Sequence, residues 1–287
     1  MELRPSKLMF IPILVFAASV GILLMNYVNT GDFIIKDVDL KGGTLITIES
    51  DEKIDTRLVE AKIDETFGSG IVNGLRTGSG YGVSIQVESG TKVSDVVEAA
   101  ESAGVKVVDV SEQTIGPALG NLFFEQMRNS LIIAFILMSI IIFIIYRNPV
   151  SSLGVVLASL GNILATLAFA TLIGIELSFA SFAGMLMLIA FTVDTNIVLT
   201  SKVVAYGSES FMARYRKALV TGATLTATIT ATMIIVLFLS SSKLLINIAE
   251  ILVIGFATDL IYTWILNAGM LEIYFNRKNK VHGGSGR

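Results

Sequence analysis

The sequence predicts an α-helical polytopic membrane protein, with six transmembrane helices and one external α+β domain. Three observations predict it. The chain is 53% hydrophobic and 16% charged, with a mean hydropathy of +0.74, against about 25% charged for an ordinary soluble domain. Six apolar runs each reach the ~20 residues that a helix needs to cross a bilayer. The stretch between the first and second runs has soluble composition instead, with about seventeen acids against about eight bases.

The apolar runs are Leu8–Val28, Met127–Tyr146, Val150–Ile173, Leu177–Val203, Ala218–Ser240 and Leu244–Met270. The first follows Arg4 and Lys7 and has no small-residue cleavage site after it, so it reads as an anchor and not as a removed signal peptide. Loop charges set the orientation. Arg147, then Lys202, Arg214, Arg216 and Lys217, then Arg277, Lys278 and Lys280 fall in one set of loops, while the alternate set holds only Glu176 and Lys243. Basic loops stay in the cytoplasm. The expectation is a multi-pass protein of the cell (cytoplasmic) membrane, both termini cytoplasmic, with the long loop extracytoplasmic. The chain then divides into a first membrane helix (1–29), an extracytoplasmic α+β domain (30–126), a five-helix bundle (127–276) and a cytoplasmic tail or expression remnant (277–287).

Within the long loop, Val38–Ile48 ends in strand-like alternation, and Thr56–Phe67 has helical spacing. Gly68–Gly82 is turn-rich, Val83, Ile85 and Val87 alternate, Val93, Val96, Val97 and Ala100 mark a second amphipathic helix, and Val105–Val110 reads as a last strand. If Ile71–Leu75 supplies the second strand, the order β-α-β-β-α-β fits a ferredoxin-like sandwich. Gly42-Gly43 inside a strand pattern signals a bulge or a close backbone approach.

Several chemistries are excluded or disfavoured. There are no cysteines and the only histidine is His282 in the tail, so thiolate metal sites are absent and a His-based triad or zinc site is not expected. No phosphate-cradling G-x-x-x-x-G-K string occurs. The expectation is no enzyme, no cofactor, no metal and no nucleic-acid partner.

What chemistry remains is carboxylate chemistry. Asp194 lies deep in the fourth apolar run, where a charge costs at least ~2.5 kcal/mol even on lenient insertion scales. It must be paired, protonated or facing a polar path. Ala190, Phe191, Ile197 and Val198 share its helix face, whereas Thr192 and Asn196 do not. Ala180, Ala183 and Gly184 lie on or near that side and would admit a neighbouring helix closely. In the sixth run, Gly255, Asp259, Thr263 and Asn267 recur every fourth residue as a polar stripe. Asp259 reads either as a hydrogen-bonded structural acid or as a second proton or cation site. Thr221, Thr224 and Thr228 form a row in the fifth run that reads as packing or as a lining for water, and Ser159, Asn162 and Thr166 repeat the pattern weakly in the third.

These residues carry a resemblance. Asp39-Leu40-Lys41-Gly42-Gly43-Thr44 resembles the Asp-x-x-Gly-Gly signature of the SecD/SecF family, Gly116-Pro117 its Val-Gly-Pro element, and Val193-Asp194-Thr195-Asn196-Ile197-Val198 its fourth-helix acid motif. The layout is similar to the SecF side of the family, in its archaeal form, over essentially the whole chain. The resemblance implies membership of the resistance-nodulation-division superfamily and a role as accessory subunit of the Sec protein-export machinery. It implies pairing with a SecD-like subunit, contact with a SecY-type translocon, membrane lipid and, through the external domain, the translocating polypeptide, and use of the proton-motive force with Asp194 as proton carrier. Bacterial SecF proteins carry a fifth-helix arginine in an Asn-x-Thr-x-x-Arg-Thr pattern; here Val220-Thr221-Gly222-Ala223-Thr224 has no cation. Two other readings stay open: a small-molecule or lipid exporter of the same superfamily, and a structural subunit that only stabilises the translocon.

Overall fold

A computed structural model of the chain describes residues 4–68, 70–77, 80–204, 210–240 and 242–283. The residues 284–287 of the predicted tail lie outside the described residues. In chain order the elements are a turn α1 (Pro5–Leu8), α2 (Phe10–Thr30), a turn α3 (Val38–Lys41), β1 (Gly43–Ser50), α4 (Thr56–Phe67), β2 (Ile71–Thr77), β3 (Gly80–Val87), α5 (Val93–Ser102), β4 (Asp109–Ile115), α6 (Pro117–Tyr146), α7 (Pro149–Ile173), α8 (Phe179–Val204), α9 (Phe211–Leu239), α10 (Lys243–Ile261), a π-helical segment (Tyr262–Asn267) and α11 (Ala268–Gly283). Among the described residues six helices are long and apolar enough to cross a membrane: Pro5–Thr30, α6, α7, α8, α9 and Lys243–Arg277. The chain is a multi-pass membrane protein.

Local chemistry sets the helix ends. Pro117 and Pro149 open α6 and α7 at the position where a missing N–H costs nothing. Gly31, in the left-handed region at φ 80°, ends α2 by donating its N–H to the Tyr27 carbonyl. Arg147 takes the same role after α6 at φ 48°, and Asn148 then caps α7 by accepting from the Val150 N–H at 3.0 Å. That two-residue link makes α6 and α7 antiparallel neighbours.

Within the bundle α7 is the most enclosed helix, and α6 and α9 are the most exposed. Small residues let backbones approach. Gly161 of α7 packs on the Tyr262 ring, Gly255 of α10 on Leu188 of α8, and Gly184 of α8 on the Ile248 backbone of α10. The contact of Gly184 with α10 corrects one expectation: it does not lie on the Asp194 side, whereas Ala183 and Ala190 do face outward with Asp194.

The four strands form one antiparallel sheet in the order β2-β3-β1-β4. Its register places Ile46 opposite Ile85 and Ile48 opposite Val83, and these pack with Val59, Ile63 and Val96 of α4 and α5 in a separate core. The alternate residues Thr47, Ser84 and Gln86 give the other face a polar character. The last strand falls later than expected, at Asp109–Ile115 and not Val105–Val110. Val105 is buried in the core ahead of the strand, while β4 is an edge whose Glu112 and Gln113 are exposed. An exposed edge strand shows no apolar alternation to read. Helix α6 also begins at Pro117, so its first residues belong to the stretch read as domain.

The two glycines at 42 and 43 mark a close approach. A side chain on Gly42 would put its Cβ 2.5 Å from Pro117 Cα, and one on Gly120 would reach 2.7 Å from the Gly42 nitrogen. Gly43 lies against the Val87 carbonyl. The sheet is thereby joined to the start of α6 backbone against backbone.

Candidate functional site

Helix α8 carries the acid singled out from sequence. Asp194 is exposed on the outside of the chain, in a groove of about 380 Å3 between α6 and α8. The walls are apolar: Met138, Ile141 and Ile145 on α6, and Ile189, Ala190 and Ile197 on α8. Asp194 is the one charged side chain in that lining. As the spacing predicted, Ala190 and Ile197 share its face, and Thr192 and Asn196 are turned inward and buried.

The inward face of α8 meets a second acid. Asp259 is 1% exposed. Thr263 donates its hydroxyl to Asp259 Oδ1 at 2.7 Å, and Thr195 donates to Oδ2 at 2.9 Å. Asn196 Nδ2 donates to Thr263 Oγ1 at 2.9 Å, and Asn267 Nδ2 donates to Asn196 Oδ1 at 2.7 Å. On the other side, Asn162 Nδ2 donates to Thr192 Oγ1 at 2.7 Å, and the Thr258 hydroxyl donates to Asn162 Oδ1. The predicted stripe, Gly255 and Asp259 on α10 and Thr263 and Asn267 in the π-helical segment, is thus the seam with α7 and α8. Buried polar groups are tolerable when they find partners, and of these side chains Asn267 leaves its Oδ1 without one among the described residues. The chain departs from α-helical geometry just past Asp259, at the π-helical segment, a distortion frequent at functional sites.

The threonine row sits elsewhere. Thr224 and Thr228 are exposed, and each donates its hydroxyl to the carbonyl four residues earlier, at 2.7 and 2.9 Å. Thr221 donates to the Lys217 carbonyl and accepts from Lys202 Nζ. None of the three hydrogen-bonds to either acid among the described residues. Of the motif residues, Asp39 accepts from Gln113 Nε2 at 3.0 Å, and Gly42, Gly43, Gly116 and Pro117 form the joint between the sheet and α6. Asn196 bridges Thr263 and Asn267 inside the bundle.

Thr195 was missed as a partner of Asp259, and Thr192 as a partner of Asn162. Reading the face of Asp194 hides what its immediate neighbour does, because successive helix residues point about 100° apart. The signal was present in the alternation Thr192-Val193-Asp194-Thr195-Asn196, whose polar residues cannot all share one face.

The architecture and the placement of these residues define a class, and the comparisons state it. Residues 95–277 match the family "Protein export membrane protein SecD/SecF, C-terminal", and the chain belongs to the SecD/SecF family of protein-export membrane proteins. Within it the chain groups with archaeal SecF proteins. It is 32% identical over 279 residues to the protein-export membrane protein SecF of Pyrococcus furiosus, covering 96% of this chain and 93% of that one. It is 35% identical over 269 residues to SecF of Methanocaldococcus jannaschii, covering 90% and 94%. The crystal structure of SecDF, a translocon-associated membrane protein from Thermus thermophilus, shares the fold at a TM-score of 0.74 and 14% identity, over 95% of this chain; the chain spans 38% of that longer protein.

Proposed function

We propose that this protein is an accessory subunit of the Sec protein-export machinery, pairing with a SecD-like subunit and drawing on the proton-motive force, with Asp194 as the carboxyl that carries the proton. One observation carries the proposal: Asp194 opens outward into an apolar groove, while Asp259 of α10 is enclosed by donors of its own chain. A second membrane subunit seated on that groove would complete the surroundings of Asp194 and exclude lipid from it. The 38% of SecDF that this chain spans supports the reading as one half of a larger unit.

The basic loops support cytoplasmic termini and an external small domain. The strand order β2-β3-β1-β4 with two helices on one face supports its ferredoxin-like reading. In that position it is the part able to meet an emerging polypeptide and a SecY-type translocon. Asp259 and the Thr221, Thr224 and Thr228 row enter the proposal as path elements ranked below Asp194, the first because it is sealed and the row because its hydroxyls are bound to their own helix. No enzymatic step is part of this reading.

The test is export into membrane vesicles containing both subunits, with and without a proton gradient. Asp194→Asn should abolish the gradient-dependent part and leave assembly of the pair intact. Undiminished gradient-dependent export by the variant would refute the proton role and favour a purely structural subunit.

A further inference from the structure

Between the small domain and the bundle lies a cleft of about 450 Å3. Asn73 and Ser84 of the polar sheet face line one side, and Glu176, Lys243 and Glu250 line the other. The stretch ahead of β1 is tied to the α7–α8 link by backbone, with Leu177 N–H donating to the Ile35 carbonyl at 2.8 Å and Asp37 N–H to the Leu177 carbonyl at 2.9 Å, and the sheet itself meets the bundle at two unlike places among the described residues. At one side both covalent connections pass through the backbone contact of Gly42 with Pro117. At the other, β3 reaches the link between α7 and α8 through a side-chain pair, with Gln86 Nε2 donating to Glu176 Oε2.

That pair is half made. Gln86 Oε1 and Glu176 Oε1 are both buried, and neither has a hydrogen-bond partner among the described residues. An ionised glutamate offers only acceptors, so two acceptors are left facing no donor. A protonated glutamate carries an O–H. One proton on Glu176 Oε1 supplies the donor that Gln86 Oε1 lacks, and the acid and the amide are then joined by two bonds instead of one.

We propose that Glu176 and Gln86 form a proton-closed clasp, which fastens the sheet to the bundle and lets it pivot on the Gly42–Pro117 contact when open. Burial, and then the charge of Asp37, holds the Glu176 carboxyl above the usual carboxylate range; the hydrogen bond from Gln86 and the charges of Lys41 and Lys243 pull the other way without reversing it. The ionisable groups around it are Asp37 and Lys41 from α3 and its cap, and Lys243 and Glu250 from α10. Lys243 pairs with Asp37, Nζ to Oδ2 at 3.1 Å, and its buried Nζ makes no hydrogen bond among the described residues, to Glu176 included. When the clasp opens, Glu176 regains water and an ordinary pKa. The proton therefore binds the closed state more tightly than the open one. Acid closes the clasp, and it loosens as pH rises through the raised pKa.

The clasp does not depend on Asp194 carrying protons, and it is read by distance and not by export. The chain has no cysteines, so Ser94→Cys on α5 and Leu172→Cys on α7 give two unique spin-label positions. Distances between them are measured by pulsed electron paramagnetic resonance in lipid nanodiscs from about pH 8 to about pH 5, above the ~4.3 of a free glutamate. A broad distribution at high pH should narrow to a single short distance in acid. Glu176→Gln, whose amide donates permanently, should hold the short distance at every pH. Gln86→Leu should stay broad throughout, and Asp39→Asn should keep the response of the parent. A distribution unchanged by pH in the parent overturns the clasp, as does a Glu176→Gln chain that still responds to pH or an Asp39→Asn chain that does not.

Discussion

Asp194 and Thr195 are adjacent in the chain and point about 100° apart on α8, one outward and one inward. Asp194 opens onto the outer groove, and Thr195 donates its hydroxyl to the enclosed Asp259 at 2.9 Å. One helix therefore separates an acid that its own chain leaves open from an acid that its own chain surrounds.

That separation predicts different consequences for the two acids. Asp194 has no hydrogen bond or ion pair among the described residues, so Asp194→Asn should change the stability of the isolated subunit in detergent by no more than ~0.5 kcal/mol, the ordinary range for a surface change. A large loss would show that Asp194 is held within its own chain.

Asp259 should behave as a structural centre whatever else it does. Asp259→Leu strands the Thr263 hydroxyl proton, at a cost of about 1–3 kcal/mol for a buried group left without its partner, while Thr195 keeps its bond to the Thr192 carbonyl at 3.0 Å. Asp259→Asn keeps one acceptor and should cost less. Denaturant unfolding of the two variants orders them, and equal stability of the leucine and parent chains would contradict the buried network.

The joint at Gly42 is intolerant of any side chain. Its φ of 81° already disfavours one, and the new Cβ would sit 2.5 Å from Pro117 Cα. Gly42→Ala should destabilise by more than the ~1 kcal/mol typical of strain at a left-handed position. Gly21→Ala in α2, with nothing within 4 Å of the added carbon, is the matched control and should be neutral or slightly stabilising. Thermal unfolding of both distinguishes steric exclusion from a general dislike of alanine.

Burial, followed by the Asp37 charge, holds Asp39 above the ordinary carboxylate range. A folded pKa above the unfolded one means that its contribution to stability is complete below about pH 4 and is lost as pH rises through the raised value. The melting temperature of the parent relative to Asp39→Asn, which does not titrate there, should therefore fall as pH rises from acid toward neutrality. A flat difference would mean that Asp39 titrates normally.

Much of this was legible from residues alone. The six membrane helices follow from apolar runs that no soluble chain sustains, and the stripe through Asp259 follows from a four-residue repeat. The strand order was reachable from the alternation at Val83, Ile85 and Val87 and the helices around it. What covers a helix face was not legible. Periodicity says that Ala190 and Ile197 share a side with Asp194, yet it cannot say that this side opens outward. The partnership of Asn162 with Thr192 and Thr258 needs three helices at their final spacing, and the π-helical turn at Tyr262–Asn267 shifts side chains off any regular repeat. Edge strand β4 was displaced for a related reason, since its exposed Glu112 and Gln113 carry no alternation.

Helix α6 touches both ends of this story. It starts against Gly42 with no side chain between the backbones, and farther along it supplies Met138 and Ile141 to the wall beside Asp194. The backbone joint that carries the sheet and the apolar wall beside the acid are thus two stations on a single 30-residue rod, so the joint and the groove share one scaffold although one sits in the small domain and the other among the membrane helices.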